Sequence, residues 1–153
     1  MVLNKRQRSL STIYMKKLLL MIIILFISKV YAMERNITIE LKNIFSGEGK
    51  VYIAIYNSEY NYKNDIQLKS YIMDSTDTVL EIKDKLPEGY YVISVFQDLN
   101  NNGKLDFNLL GIPREPIGLS NYNGMGIPGG YEKLKVKVLE ENQKITIKMI
   151  KTI

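Results

Sequence analysis

From residue 36 onward, apolar and polar residues alternate along the chain with the period of two that marks a β-strand. Ile37, Ile39 and Leu41 interleave with Thr38 and Glu40, which predicts a first strand over about 36–42. Val51, Ile53 and Ile55 interleave with Tyr52, Ala54 and Tyr56, so both faces are partly apolar and the strand is expected in the middle of a sheet. Thr78, Leu80 and Ile82 predict a strand near 77–83, and Tyr90 to Gln97 a longer one. Leu134, Val136 and Val138 give the next, Ile145, Ile147 and Met149 the last, and the turn at Glu140, Glu141 and Asn142 is expected to join these two as a hairpin. On the same reading, Lys133, Lys135 and Lys137 share one solvent face of a strand. The stretch from Asn57 to Ser75 carries no clear period and reads as a half-buried loop, a short helix or an irregular edge.

Six to seven strands and no long amphipathic helix predict an all-β domain. The expected form is an antiparallel β-sandwich, transthyretin-like or immunoglobulin-like, in which the long connection from Asn100 to Gly130 crosses between the sheets. The N-terminal fifth reads differently. Met15 is followed by Lys16 and Lys17, by a ten-residue apolar run from Leu18 to Ile27, and by Val30 and Ala32 at the spacing of a signal-peptidase site. About 20 apolar residues are needed to cross a bilayer, so the run is too short for a comfortable anchor. Residues 1–32 are therefore expected to be a secretory signal peptide, with residues 1–14 either a longer basic start or untranslated ahead of Met15. Residues 33–153 are expected to be a single mature domain in the periplasm or outside the cell, with no membrane span after cleavage.

Removing residues 1–32 changes the charge picture. The whole chain carries +5, but the part from Met33 onward has 15 Lys plus Arg against 16 Asp plus Glu, a formal charge of −1, so nucleic acid is not an expected partner. There is no Cys and no His. That excludes disulfide staples, thiolate and histidine catalysis, most zinc sites and a lipid anchor on a processed Cys.

One segment carries specific chemistry. Asp98, Asn100, Asn102 and Asp106 place side-chain oxygens at positions 1, 3, 5 and 9 of a loop with Gly103 at position 6, and the Lys104 carbonyl falls at position 7. This is the spacing of a calcium loop, although Leu109 stands where a bidentate Glu is wanted and Glu115 is the nearest replacement. Five protein oxygens imply binding on the order of 10⁻⁴–10⁻³ M. The same residues also suit a metal-free Asx-rich turn, and both readings stay open. In the next segment, Pro113 and Pro116 between Gly111 and Gly118 suggest an ordered loop, with Arg114 and Glu115 fixing it to the sandwich or lining a groove. The glycine-rich stretch from Asn123 to Gly130 lacks the lysine of a phosphate loop.

Two resemblances sharpen the fold. Leu86-Pro87-Glu88-Gly89-Tyr90 is similar to the turn-into-strand signature of transthyretin-like modules, with Tyr90 or Tyr91 entering the core. More specifically, four marks together resemble the secreted bacterial proteins grouped as domain of unknown function 2141. They are Tyr56-Asn57-Ser58, the turn from Leu86 to Tyr91, the loop from Asp98 to Asp106, and Gly111-Ile112-Pro113-Arg114-Glu115-Pro116 followed by Gly118, Ser120 and Asn121. The resemblance implies an extracytoplasmic β-sandwich with no assigned activity. The chain departs from it at Leu119, where an aromatic residue is usual, and at Gly126 to Tyr131, where a Gly-Pro-Pro and Phe stretch is usual.

Two functions follow as expectations. The first is a non-enzymatic structural or binding module that meets a protein or glycan partner through its long loops, with calcium as a candidate stabiliser at Asp98, Asn100, Asn102, Lys104 and Asp106. The alternative is a hydrolase using the clustered carboxylates Asp98, Asp106 and Glu115, which would have to stand about 5 to 9 Å apart in a cleft. Phe107, Tyr122 and Tyr131 are the aromatic residues available to line one.

Overall fold

The computed structural model describes residues 13–23 and 33–151. The chain divides into two units, Met1–Met33 and Glu34–Ile153. Residues 13–23 are helical, while the rest of the expected signal peptide, including the cleavage point after Ala32, lies outside the described residues. Among the described residues, no helix is long and apolar enough to cross a membrane.

The second unit is a two-sheet sandwich of eight strands. The first sheet orders β4 (Val79–Pro87), β1 (Glu34–Lys42) and β8 (Gln143–Lys148). The second orders β3 (Lys69–Asp74), β2 (Lys50–Tyr56), β5 (Gly89–Asp98) and β6 (Ile117–Leu119), with β7 (Val136–Val138) also paired to β5. The inward residues are the alternating sets expected from the sequence. Ile37, Ile39 and Leu41 of β1 meet Val51, Ile53 and Ile55 of β2 and Tyr91, Ile93 and Val95 of β5 in one buried core, to which Leu80, Ile82, Ile145 and Ile147 also belong. Tyr91 is the tyrosine that enters, and its hydroxyl donates to the Pro87 carbonyl at 2.7 Å, so burial of the ring leaves no polar atom unpaired.

Several expectations are corrected. β7 and β8 do not form a hairpin: β7 runs antiparallel to β5 with Gly89 opposite Val138, while β8 runs parallel to β1 with Ile39 opposite Ile145. The turn at 140–142 therefore carries the chain from one sheet to the other, because alternation fixes which face a strand buries and not which neighbour it takes. The long connection after β5 does not cross, since β5 and β6 pair within one sheet, with Val95 opposite Gly118. The lysine stripe is broken: Lys133 lies in a short helix, Tyr131–Leu134, Lys135 caps it, and only Lys137 is in a strand. Tyr131 and Leu134 are both buried, and their spacing of three brings them to one side of that helical turn. The unclear stretch 57–75 resolves into a helix, Glu59–Lys63, capped by Ser58 Oγ accepting from Asn61 N at 3.1 Å, and the edge strand β3. Residues Tyr56, Val92, Leu119, Tyr131 and Leu134 form a second, smaller core between these short helices and the outer face of the second sheet.

Both flanks of the sandwich are tied across. On one, Asp84 of β4 accepts from Lys69 Nζ at 2.7 Å and Tyr71 Oη at 2.5 Å, linking it to β3. Burial pushes the Asp84 carboxyl up, but these donors and the Lys85 N–H outweigh it and hold the group below its ordinary range. On the other flank, Ile117 and Ile150 exchange backbone hydrogen bonds at 2.9 and 2.8 Å.

The outer face of the first sheet carries a charge network with a consequence for acid stability. Glu40 and Glu81 are direct cross-strand neighbours, and Lys144 lies between them at 2.5 and 3.1 Å. The hydrogen bond from Lys144 draws the Glu40 carboxyl from 4.5 down to about 2, with Thr146 and Lys42 adding to it against partial burial. A carboxyl whose folded value lies below its unfolded one stabilises the fold above the unfolded value and loses that contribution as pH falls through the folded one. Wild-type protein is thus expected to lose melting temperature from pH 4.5 toward 2 more steeply than Glu40→Gln, as read by a pH series of thermal melts. Parallel curves would rule the network out as a source of acid sensitivity.

Candidate functional site

β5 ends at Asp98, which is fully buried, and the chain then makes a self-bonded loop. Asp98 accepts from Asn102 N at 3.1 Å and Gly103 N at 2.7 Å, one bond on each carboxylate oxygen. Asn100 Oδ1 accepts from Asn102 N at 3.0 Å and Asn102 Oδ1 from Lys104 N at 2.8 Å. These two Asx-turns let a short run of polar residues replace the hydrogen bonds that the backbone loses on leaving the sheet. Both asparagine amide nitrogens donate to Asp106 Oδ2, at 2.7 and 2.9 Å.

Glu115 closes the loop from the far side. It is 4% exposed, and its two oxygens accept from Leu99 N at 2.9 Å and Asp106 N at 3.2 Å, tying both ends of the turn to the residue that leads into β6. The structure thus brings Asp98, Asn100, Asn102, Asp106 and Glu115 together, with the Lys104 N–H on Asn102, but each acidic side chain is spent on neighbouring N–H groups. Arg114 stays exposed. A calcium ion fits the donor chemistry, since the side-chain oxygens of Asp98, Asn100 and Asn102 each keep a free lone pair. At Asp106 it would have to compete with the two amide donors. Among the described residues, no group of three or more Asp or Glu side chains stands at metal-holding distance.

Beyond this loop the chain presents apolar residues to solvent. Asn108 Oδ1 accepts from Leu110 N and Ile112 N at 2.9 and 3.0 Å, pinning a turn with Leu109 and Leu110 at its tip, 103% and 83% exposed. A second turn, held by Tyr122 Oη donating to the Gly126 carbonyl at 2.6 Å, displays Met125 and Ile127. Between the two turns lies an open cavity of about 490 Å³ lined by Phe107, Ile112, Pro113, Tyr122, Ile127 and Pro128, among others. Of the aromatic residues proposed to line a cleft, Phe107 and Tyr122 do so, whereas Tyr131 is buried with its hydroxyl on the Tyr90 carbonyl.

Two structural polar residues escape the sequence reading. Gln97 is fully buried on the inward face of β5, where it accepts from Phe45 N and donates to the Phe45 and Glu48 carbonyls at 2.7 and 2.6 Å. Its position in the inward series Tyr91, Ile93, Val95 was the available signal. Ser120 fills the gap between β6 and β7, accepting from Ile93 N at 3.0 Å and donating to the Leu134 carbonyl at 2.7 Å.

Comparison with curated proteins and with solved structures gave no match. A family model does match, over residues 39–146, from within β1 to within β8 and across both loops. The chain therefore belongs to the bacterial family described as "Uncharacterized protein conserved in bacteria (DUF2141)".

Proposed function

We propose that the chain is a non-enzymatic, extracytoplasmic binding module that meets a partner protein through the two turns after β5. The observation that carries this reading is the set of exposed apolar side chains, Leu109, Leu110, Met125 and Ile127, held out on turns that are hydrogen-bonded in place. Exposed apolar groups on a stiff scaffold lose little conformational entropy on docking, which is what a binding surface requires. The alternative hydrolase through Asp98, Asp106 and Glu115 gains no support from that geometry, because those carboxylates are engaged by backbone and amide donors. Secretion is part of the proposal and rests on residues 15–32.

The test is photo-crosslinking in cells producing the whole chain, with a photoreactive residue at Leu110 or Ile127 and at Glu81 on the far sheet as control. A discrete adduct from the two turn positions, absent from the control and from the cytoplasmic fraction, is expected. Equal labelling at all three positions would overturn the reading. In the purified protein, melting temperatures in calcium and in chelator are expected to coincide, since the loop at 98–106 closes on its own hydrogen bonds. A rise in calcium would instead establish, by linkage, an ion as part of the module.

A further inference from the structure

The outer face of the second sheet holds a trench. The strand register lines up two rows of side chains across it: Ile72, Tyr52, Phe96 and Ile117 form one, and Ser70, Ala54, Ser94 and Leu119 the next. Bulky residues in one row and small ones in the next leave a trench running across the strands. The Tyr52 and Phe96 rings form one wall, stacked with centroids 4.8 Å apart and planes within 7°. Tyr56, Asp65 and Gln67 form the other, Lys104 and Leu105 of the loop after β5 also line it, and its volume is about 480 Å³. Strands spaced about 4.8 Å apart give the small-residue floor from β3 to β5 a length of roughly 10 Å.

We propose that this trench binds a short saccharide chain, with a preference for acidic sugars. The floor offers side chains from the face of a sheet and no strand edge, so an extended peptide would find no main-chain partners there. What it offers is the hydroxyls of Tyr52, Ser70 and Ser94, the Gln67 amide and two aromatic rings, none of the three hydroxyls being committed to a hydrogen bond within the chain among the described residues. Hydroxyl and amide groups match the alternating donors and acceptors of a sugar, while the Tyr52 and Phe96 rings, each with one face on the other, give its C–H groups an apolar wall. Lys104 is exposed, lines the trench and forms no ion pair among the described residues, while Asp65, also in the lining, accepts from the Tyr56 hydroxyl at 2.5 Å, so the preference for an acid is expected of a sugar seated against Lys104. The site is separate from the two apolar turns and does not depend on the role given to them.

The experiment is ligand-observed NMR and calorimetry on the mature domain from Met33, with cellotriose, chitotriose, maltotriose and trigalacturonate as probes. Saturable binding of at least one probe is expected, strongest for trigalacturonate. Ser70→Trp is expected to weaken it about tenfold or more by filling the mouth of the trench. Position 70 is exposed on an edge strand, where an aromatic residue favours β-structure, so this variant keeps its fold. Lys104→Gln should remove the preference for trigalacturonate and leave neutral probes unchanged, and Phe107→Ser should change nothing. Failure of all four probes to bind at about 10 mM, or binding unaffected by Ser70→Trp, would overturn the proposal. Neither result would bear on crosslinking at Leu110 and Ile127.

Discussion

Alanine at Gly49 is expected to destabilise the domain by about 4 kcal/mol or more, an effect few single methyl groups reach. Gly49 has φ +63°, and a Cβ built there would stand 1.8 Å from the Asp98 carbonyl oxygen and 2.7 Å from its carbon. The obstacle is backbone rather than a side chain that can swing away. Accommodating the methyl group means moving either β2 or the end of β5, and Asp98 is where the hydrogen-bonded loop begins. Gly47 supplies the internal control: its φ is +79°, but nothing lies within 4 Å of its Cβ position. Gly47→Ala should therefore cost only the left-handed backbone penalty, roughly 1–2 kcal/mol. Urea denaturation of the two variants separates close approach from backbone conformation, and equal losses would show that the contact with Asp98 relaxes at little cost.

The second large effect is expected at Glu115. Removing its carboxylate in Glu115→Ala leaves the Leu99 and Asp106 N–H groups without partners in a part-buried setting. At about 1–3 kcal/mol for each orphaned group, the loss should come to roughly 2–5 kcal/mol. For a domain of this size that corresponds to a fall in melting temperature on the order of 10–20 °C. Glu115→Gln keeps one acceptor and is expected to lose about half as much. The two variants should also open the segment from Leu99 to Pro116 to proteolysis before the sandwich unfolds, with cleavage near the exposed Leu109 and Leu110. Protection equal to wild type would mean that Asp98 and the asparagines hold the loop without Glu115.

Much of the fold was legible because each strand announces itself by alternation. β1, β2, β5 and β8 bury the residues that the period of two assigns to one face, and Tyr91 rather than Tyr90 enters the core because it shares the parity of Ile93 and Val95. What alternation cannot encode is partnership. β8 pairs parallel to β1 across most of the sequence, and β7 leaves its chain neighbour for β5. β6 was missed because a three-residue strand carries little periodic signal, and β3 falls in a stretch left open between a loop, a short helix and an irregular edge. At the loop, the spacing of Asp98, Asn100, Asn102 and Asp106 left a calcium site and an Asx-rich turn both open, and Glu115 was named only as a replacement calcium ligand. That Glu115 takes up backbone N–H groups depends on where β6 places it. The trench was invisible for a related reason: Ser70, Ala54 and Ser94 come from three strands and form a row only through their register.

The ties across the two flanks bear on how this domain behaves among many copies of itself. An open sandwich offers its outermost strands as templates on which another chain can add a strand, the first step toward fibrous aggregates. Here the Lys69 and Tyr71 contacts to Asp84 span one margin and the backbone bonds of Ile117 with Ile150 span the other. A strand added at the β3–β4 or the β6–β8 margin has to be accommodated around these contacts, so the same few groups that hold β3 to β4 and β6 to Ile150 also narrow those two margins as templates.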